Sequence, residues 1–150
     1  MEFPHGMFED FNKEDYEIFG RVKDKMSEDF AQDDTAVIVP IGFKEHIDHF
    51  IVREAAAAAY KAGSKAKLYF AEDKPYCGIT TPQERQRIDA FINKHKLRPY
   101  DFEYDADKLV KLINKFYLSQ VSPVYEKGIM SRAKSIVNGK LCDRLYCKEK

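Results

Sequence analysis

Neither sign of charge dominates this chain: 25 lysines and arginines are set against 25 aspartates and glutamates, so the formal net charge is zero. Without a net charge there is no broad field to favour nucleic acid or an anionic membrane, and nucleic acid is not expected as a partner. Long apolar runs are missing too; none approaches the roughly 20 residues that cross a bilayer, so no membrane segment is expected. Met1 is followed by Glu2, Phe3, Pro4 and His5 rather than by a basic and then apolar leader, which makes the cytoplasm the expected location. Cysteine is scarce. Cys77, Cys142 and Cys147 form no C-x-x-C pair, which suits a reducing compartment, offers no thiolate metal site and leaves all three as structural bystanders. There is no internal repeat and no low-complexity linker. What remains is a chain 33% charged and 44% hydrophobic, globular in composition, whose 150 residues suffice for one domain, 1–150, with a real core.

The pattern along the chain alternates strand with helix. After an irregular arrival over residues 1–11, Asn12 is a candidate N-cap for a helix from Lys13 to Phe30, with Tyr16, Phe19, Val22, Met26 and Phe30 as its apolar stripe. Ala36 to Val39 reads as a strand ended by Pro40 and Gly42. A helix follows from His46 or Ile47 to Ala62, paved by Ala55 to Ala59 and stopped by Gly63. Lys67 to Ala71 is the second strand. Thr81 and Glu84 form a capping box, with Pro82 at the first helical position of a helix running to His95. Pro99 to Tyr104 supplies a third strand, and Asp105 or Asp107 opens a helix carrying Leu109, Leu112, Ile113 and Phe116. A short helix near Ile129 to Val137, stopped by Asn138 and Gly139, precedes a tail with no assignment. The order predicts an α/β fold with a mainly parallel sheet flanked by helices.

Chemistry is expected where the first strand hands over to its alanine-rich helix, because ligands of α/β proteins gather at the carboxyl ends of strands. His46 and His49 lie three apart at that junction, a spacing that places two side chains on one helical face, with Asp48 turned away. A helix amino terminus disfavours imidazolium and keeps a histidine available as a metal donor. Two histidines do not complete a catalytic zinc site, which takes three protein ligands and a water. His95, beside Lys94 and Lys96 at a helix end, is expected in solvent, and His5 is a remote candidate ligand.

Three landmarks in one order carry a family resemblance. Pro40, Ile41 and Gly42 lead into His46-Ile47-Asp48-His49 and the alanine-rich helix; Tyr69-Phe70-Ala71-Glu72-Asp73-Lys74-Pro75-Tyr76 follows; Lys108 or Lys111 then precedes Tyr117-x-Ser119-Gln120. This succession resembles the zinc-dependent de-N-acetylases of the PIG-L/LmbE-like type, over about Thr35 to Val121. The resemblance implies a Rossmann-like sheet and a hydrolase that removes an acetyl group from an N-acetylglucosamine-type sugar or glycoconjugate, leaving acetate and a free amine. It implies zinc as cofactor, His49 as a metal ligand, His46 as the group that polarises the amide carbonyl, and Asp48 as the carboxylate that orients a histidine. Asp73 and Tyr76 would border the sugar.

The family's first motif, His-Pro-Asp-Asp, which supplies two further ligands and the general base, has no counterpart in this sequence. Pro4-His5 has the order reversed, and Asp33-Asp34 lacks the preceding histidine and proline. The expectation is therefore the carboxyl-terminal part of a longer deacetylase, lacking the family's amino-terminal strands, with one ligand encoded and no activity alone. A homo-oligomer or a complementing chain would finish the site. The alternatives are a non-catalytic fragment or interaction subunit that keeps the fold without metal, and an unrelated α/β metal-binding protein.

Overall fold

A computed structural model describes residues 13–61, 64–117, 122–136 and 141–148. Helix α1 (Lys13–Phe30) enters strand β1 (Ala36–Pro40), and a 3-10 turn (Phe43–Glu45) leads into helix α2 (Ile47–Lys61). Strand β2 (Lys67–Ala71), a second 3-10 turn (Tyr76–Gly78), helix α3 (Pro82–His95) and strand β3 (Leu97–Glu103) follow, then helices α4 (Ala106–Phe116) and α5 (Pro123–Ile136) and strand β4 (Cys142–Lys148). The capping box forms as its residue types predict: Thr81 Oγ1 accepts from the Glu84 amide, and Glu84 accepts from the Thr81 amide at 2.6 Å. Asp105 caps α4 by accepting from the Lys108 amide. The proposed cap Asn12 and the helix stops Gly63, Asn138 and Gly139 lie outside the described residues.

The sheet order is β1-β2-β4-β3. Only β1 and β2 pair in parallel; β4 lies between β2 and β3 and runs antiparallel to both. The expectation of a mainly parallel sheet is corrected here to a mixed one, and the cause is the tail. Cys142–Lys148 shows no apolar alternation, yet it occupies an interior position because α5 carries the chain back into the gap between β2 and β3.

One face of the sheet is covered. Val39, Leu68, Phe70, Leu97 and Tyr146 pack with Ala56 and Ala59 of α2, Ile88 and Phe91 of α3, and Phe30 at the end of α1. The alanines let α2 lie close against the strands, and each large side chain removed from water contributes about 1.5–3 kcal/mol. Of the stripe foreseen on α1, Phe30 is buried and Phe19, Val22 and Met26 are half-buried, whereas Tyr16 is exposed. A smaller cluster, Ala106, Ile129 and Ala133 with Leu109 and Ile113, ties α4 to α5. Ile38, 60% exposed, Tyr100 and Phe102 stand on the opposite sheet face. No helix among the described residues is long and apolar enough to cross a membrane.

Candidate functional site

The junction after β1 is shaped by backbone that few residues tolerate. Gly42 sits at φ +87°, in the left-handed region that glycine enters without steric cost, and a Cβ there would meet Arg53 Nη1 at 3.5 Å. The bend turns two amides toward the loop after β2, where Asp73 receives them: its Oδ2 accepts from Gly42 N at 2.7 Å and from Phe43 N at 2.6 Å. Phe43, fully buried, pins the turn beneath Arg85, whose guanidinium lies 4.6 Å from the ring centroid.

The same Asp73 oxygen faces His49. Nδ1 of His49 is buried and 3.5 Å from Oδ2, with the alignment of an ion pair rather than of a well-directed hydrogen bond. Contact with Asp73 raises the His49 pKa above its ordinary value, against the opposing cost of burial, and Asp48 adds a smaller push in the same direction. With 34% of the side chain still accessible, the open part of the ring lies away from Nδ1. The carboxylate beside Nδ1 favours a proton on that nitrogen and leaves the far one to act as base, donor or metal ligand.

His46 precedes α2 in an extended conformation, yet its ring comes within 5.6 Å of the His49 ring, centroid to centroid, and 4.7 Å of Tyr76. Tyr76 meets Tyr125 of α5 edge to face at 6.0 Å. Its hydroxyl is pushed up to about 12, first by the hydrogen bond with Tyr125 and then by burial.

Charged groups support this wall from behind. Arg53, 3% exposed, donates to the Ile41 carbonyl at 3.0 Å and lies over Phe91 at 4.3 Å, while burial lowers its pKa against the opposing effect of Glu54. Glu72, next to Asp73, is buried and accepts two bonds from Arg132 of α5, at 2.6 and 2.5 Å, and one from Tyr146 at 3.0 Å. Lys74 pairs with Asp143, and the Lys74–Pro75 peptide is cis. Gly78 and Gly128 bring the second 3-10 turn against α5 so closely that a Cβ on Gly78 would lie 1.8 Å from the Gly128 carbonyl oxygen.

Of the residues singled out from the sequence, His46, His49, Asp73 and Tyr76 therefore share one surface. Asp48 is exposed, and the carboxylate facing His49 is Asp73, contributed by the other loop. Lys108, Lys111 and Tyr117 are exposed on α4 or at its end, and His5, Ser119 and Gln120 lie outside the described residues. His95 departs from expectation: it is buried against Phe91, ring centroids 4.4 Å apart, and burial lowers its pKa. Arg53, Arg132 and Tyr125 escaped the reading of the sequence, and Glu72 entered it only within a landmark string. Arg53 alone had a visible signal, a lone cation in an apolar stretch four residues after His49.

His49 has the donor chemistry and the carboxylate partner of a zinc ligand. Among the described residues, however, no three His, Cys, Asp or Glu side chains come together around one point, so these residues alone do not make up a zinc site. Comparison with family models, curated proteins and solved structures finds no match for the chain.

Proposed function

We propose that this chain works as part of a zinc-dependent de-N-acetylase acting on an N-acetylglucosamine-type sugar or glycoconjugate, and that His49 is its contribution to the metal. The observation that supports this reading is the contact between His49 and an Asp73 carboxylate already tethered by the Gly42 and Phe43 amides. A carboxylate on one imidazole nitrogen fixes the tautomer and strengthens the other nitrogen as a donor. Zinc in such enzymes supplies an ionised water for attack on the amide carbonyl. In this reading His46 stabilises the charge that develops on the carbonyl oxygen, Asp48 adds its field to the His49 ring, and Tyr76 borders the sugar. The other ligands and the general base come from outside the described residues or from a complementing chain. The parallel β1–β2 pair is taken as part of a Rossmann-like sheet, extended at the β1 edge, in a cytoplasmic enzyme.

Histidine side-chain NMR during a zinc titration tests this. The His49 signals should move at the lowest metal concentration, and Asp73→Asn should weaken that response about 10- to 100-fold. Zinc that shifts other histidines and leaves His49 unmoved removes the proposal. One observation favours a second reading, a subunit that keeps the fold without metal: the lack of a three-ligand set among the described residues. On that reading, wild type and His49→Ala take up equally little zinc.

A further inference from the structure

Helix α4 is two-sided in an unusual way. Ala106, Leu109, Val110 and Ile113 face α5 and the small cluster, yet Leu112, 44% exposed, and Phe116, 64% exposed, stand in solvent one turn apart, followed by exposed Tyr117. Lysines flank them. Lys108, Lys111 and Lys115 are all exposed and recur at steps of three and four, so they form one stripe beside Leu112 and Phe116. Lys115 Nζ lies 5.1 Å from the Phe116 ring centroid. Of the acids nearby, one borders the stripe and two are engaged elsewhere. Asp107 is exposed one turn before Lys111 and borders the amino-terminal end of the lysine stripe, but it is about two and a half turns from Phe116 and on the opposite side of the helix from it. Asp105 is occupied as the N-cap, and Glu126 accepts from Asn114 at 2.6 Å.

Exposed leucine and aromatic side chains beside a row of lysines, with a single acid, Asp107, at its amino-terminal end, match the chemistry of an anionic bilayer surface: an apolar strip for the headgroup boundary and ammonium groups for the phosphates. We infer that α4 lies along an anionic lipid surface, with Leu112, Phe116 and Tyr117 inserted at the interface and Lys108, Lys111 and Lys115 on the headgroups. The helix does not span the bilayer. Attachment is peripheral and reversible, and the zero net charge of the whole chain is no obstacle, because beyond about 8 Å at physiological salt the other charges are screened.

The test is co-sedimentation of the full chain with phosphatidylcholine vesicles containing phosphatidylserine, pure phosphatidylcholine vesicles serving as reference. Wild type should sediment with the anionic vesicles only, and release should follow as salt is raised. Replacing all three lysines (K108Q, K111Q, K115Q) should lower the partition about fivefold per lysine, on the order of a hundredfold together. Leu112→Ser with Phe116→Ser should abolish binding while lowering the melting temperature by only a few degrees, since Phe116 is largely exposed and Leu112 nearly half exposed. Failure of wild type to sediment, or equal sedimentation of the lysine variant, overturns the inference. So does a wild-type dimer that the Leu112/Phe116 variant converts to monomer, which would make this face a protein interface. The salt response of wild type reads the electrostatic part even if a variant misfolds.

Discussion

The two ends of the sheet are built on different terms. At one end β1 and β2 run parallel beneath α2, whose Phe50, Ile51, Ala55, Ala56, Ala57 and Ala59 are all buried, and the loops that leave these strands converge on Asp73 and His49. At the other, only Leu97 of the seven residues of β3 is buried, and β3 is held by antiparallel pairing with β4 and by the Arg144–Asp101 ion pair. The first region gains its rigidity from apolar burial and the second from its backbone ladder. A site that must hold an imidazole and a carboxylate in register belongs on the first. Glu72 joins the two regions: it follows β2, accepts from Tyr146 of β4, and is locked to α5 through Arg132.

At that joint a single substitution has its largest effect. Arg132→Met leaves the Glu72 carboxylate buried without its main partner and should cost about 3–5 kcal/mol, read from denaturant unfolding; a loss below about 1 kcal/mol would show the two regions to be independent. Gly78→Ala comes next. Its Cβ must displace backbone of α5, so a loss of about 3 kcal/mol is expected, and a thermal melt unchanged from wild type would contradict the close approach.

Asp73→Asn should cost about 1.5–3 kcal/mol through weakened acceptance from the Gly42 and Phe43 amides, and it should also lower the His49 titration midpoint. The sign follows from linkage. Because the folded His49 pKa is raised, its pairing with Asp73 contributes fully below the unfolded value of about 6.5 and is lost as pH rises through the folded midpoint. The stability difference between wild type and Asp73→Asn should therefore be larger at pH 5.5 than at pH 9, and NMR titration should place the wild-type midpoint above that of the variant. An identical midpoint would show that Asp73 does not pair with His49. The smallest effects belong to the exposed sheet face: Ile38→Thr and Tyr100→Ser should each stay within about 0.5 kcal/mol, and a larger loss would mean that this face is covered.

Local signals were readable wherever local physics decides. Thr81, Pro82 and Glu84 specify a helix start through bonds that span three residues, and α3 runs from Pro82 to His95 as they imply. The run Ala55–Ala59 marks α2, and β2 has the bounds that its apolar residues suggest. Strand β4 was hidden because its side chains answer to neighbours distant in sequence: Arg144 to Asp101, Tyr146 to Glu72. His95 was misjudged for a related reason. Two lysines flank it in sequence, but Phe91, one turn back, covers it in space. At the candidate site His46 and His49 were visible as a pair. That Asp73 rather than Asp48 faces His49 depends on β1 and β2 lying side by side, which no spacing within one helix reveals.

The order of residues alone sets the elements that close within a turn or two: the caps, the alanine-lined helix, the glycine at the left-handed bend and the two imidazoles three residues apart. These follow from short-range sterics and hydrogen bonding, which do not need the rest of the chain. That the sheet is mixed, that Asp73 meets His49 and that Glu72 is shared by α5 and β4 comes from the packing of distant segments, because burial and ion pairing act between the groups this packing brings together.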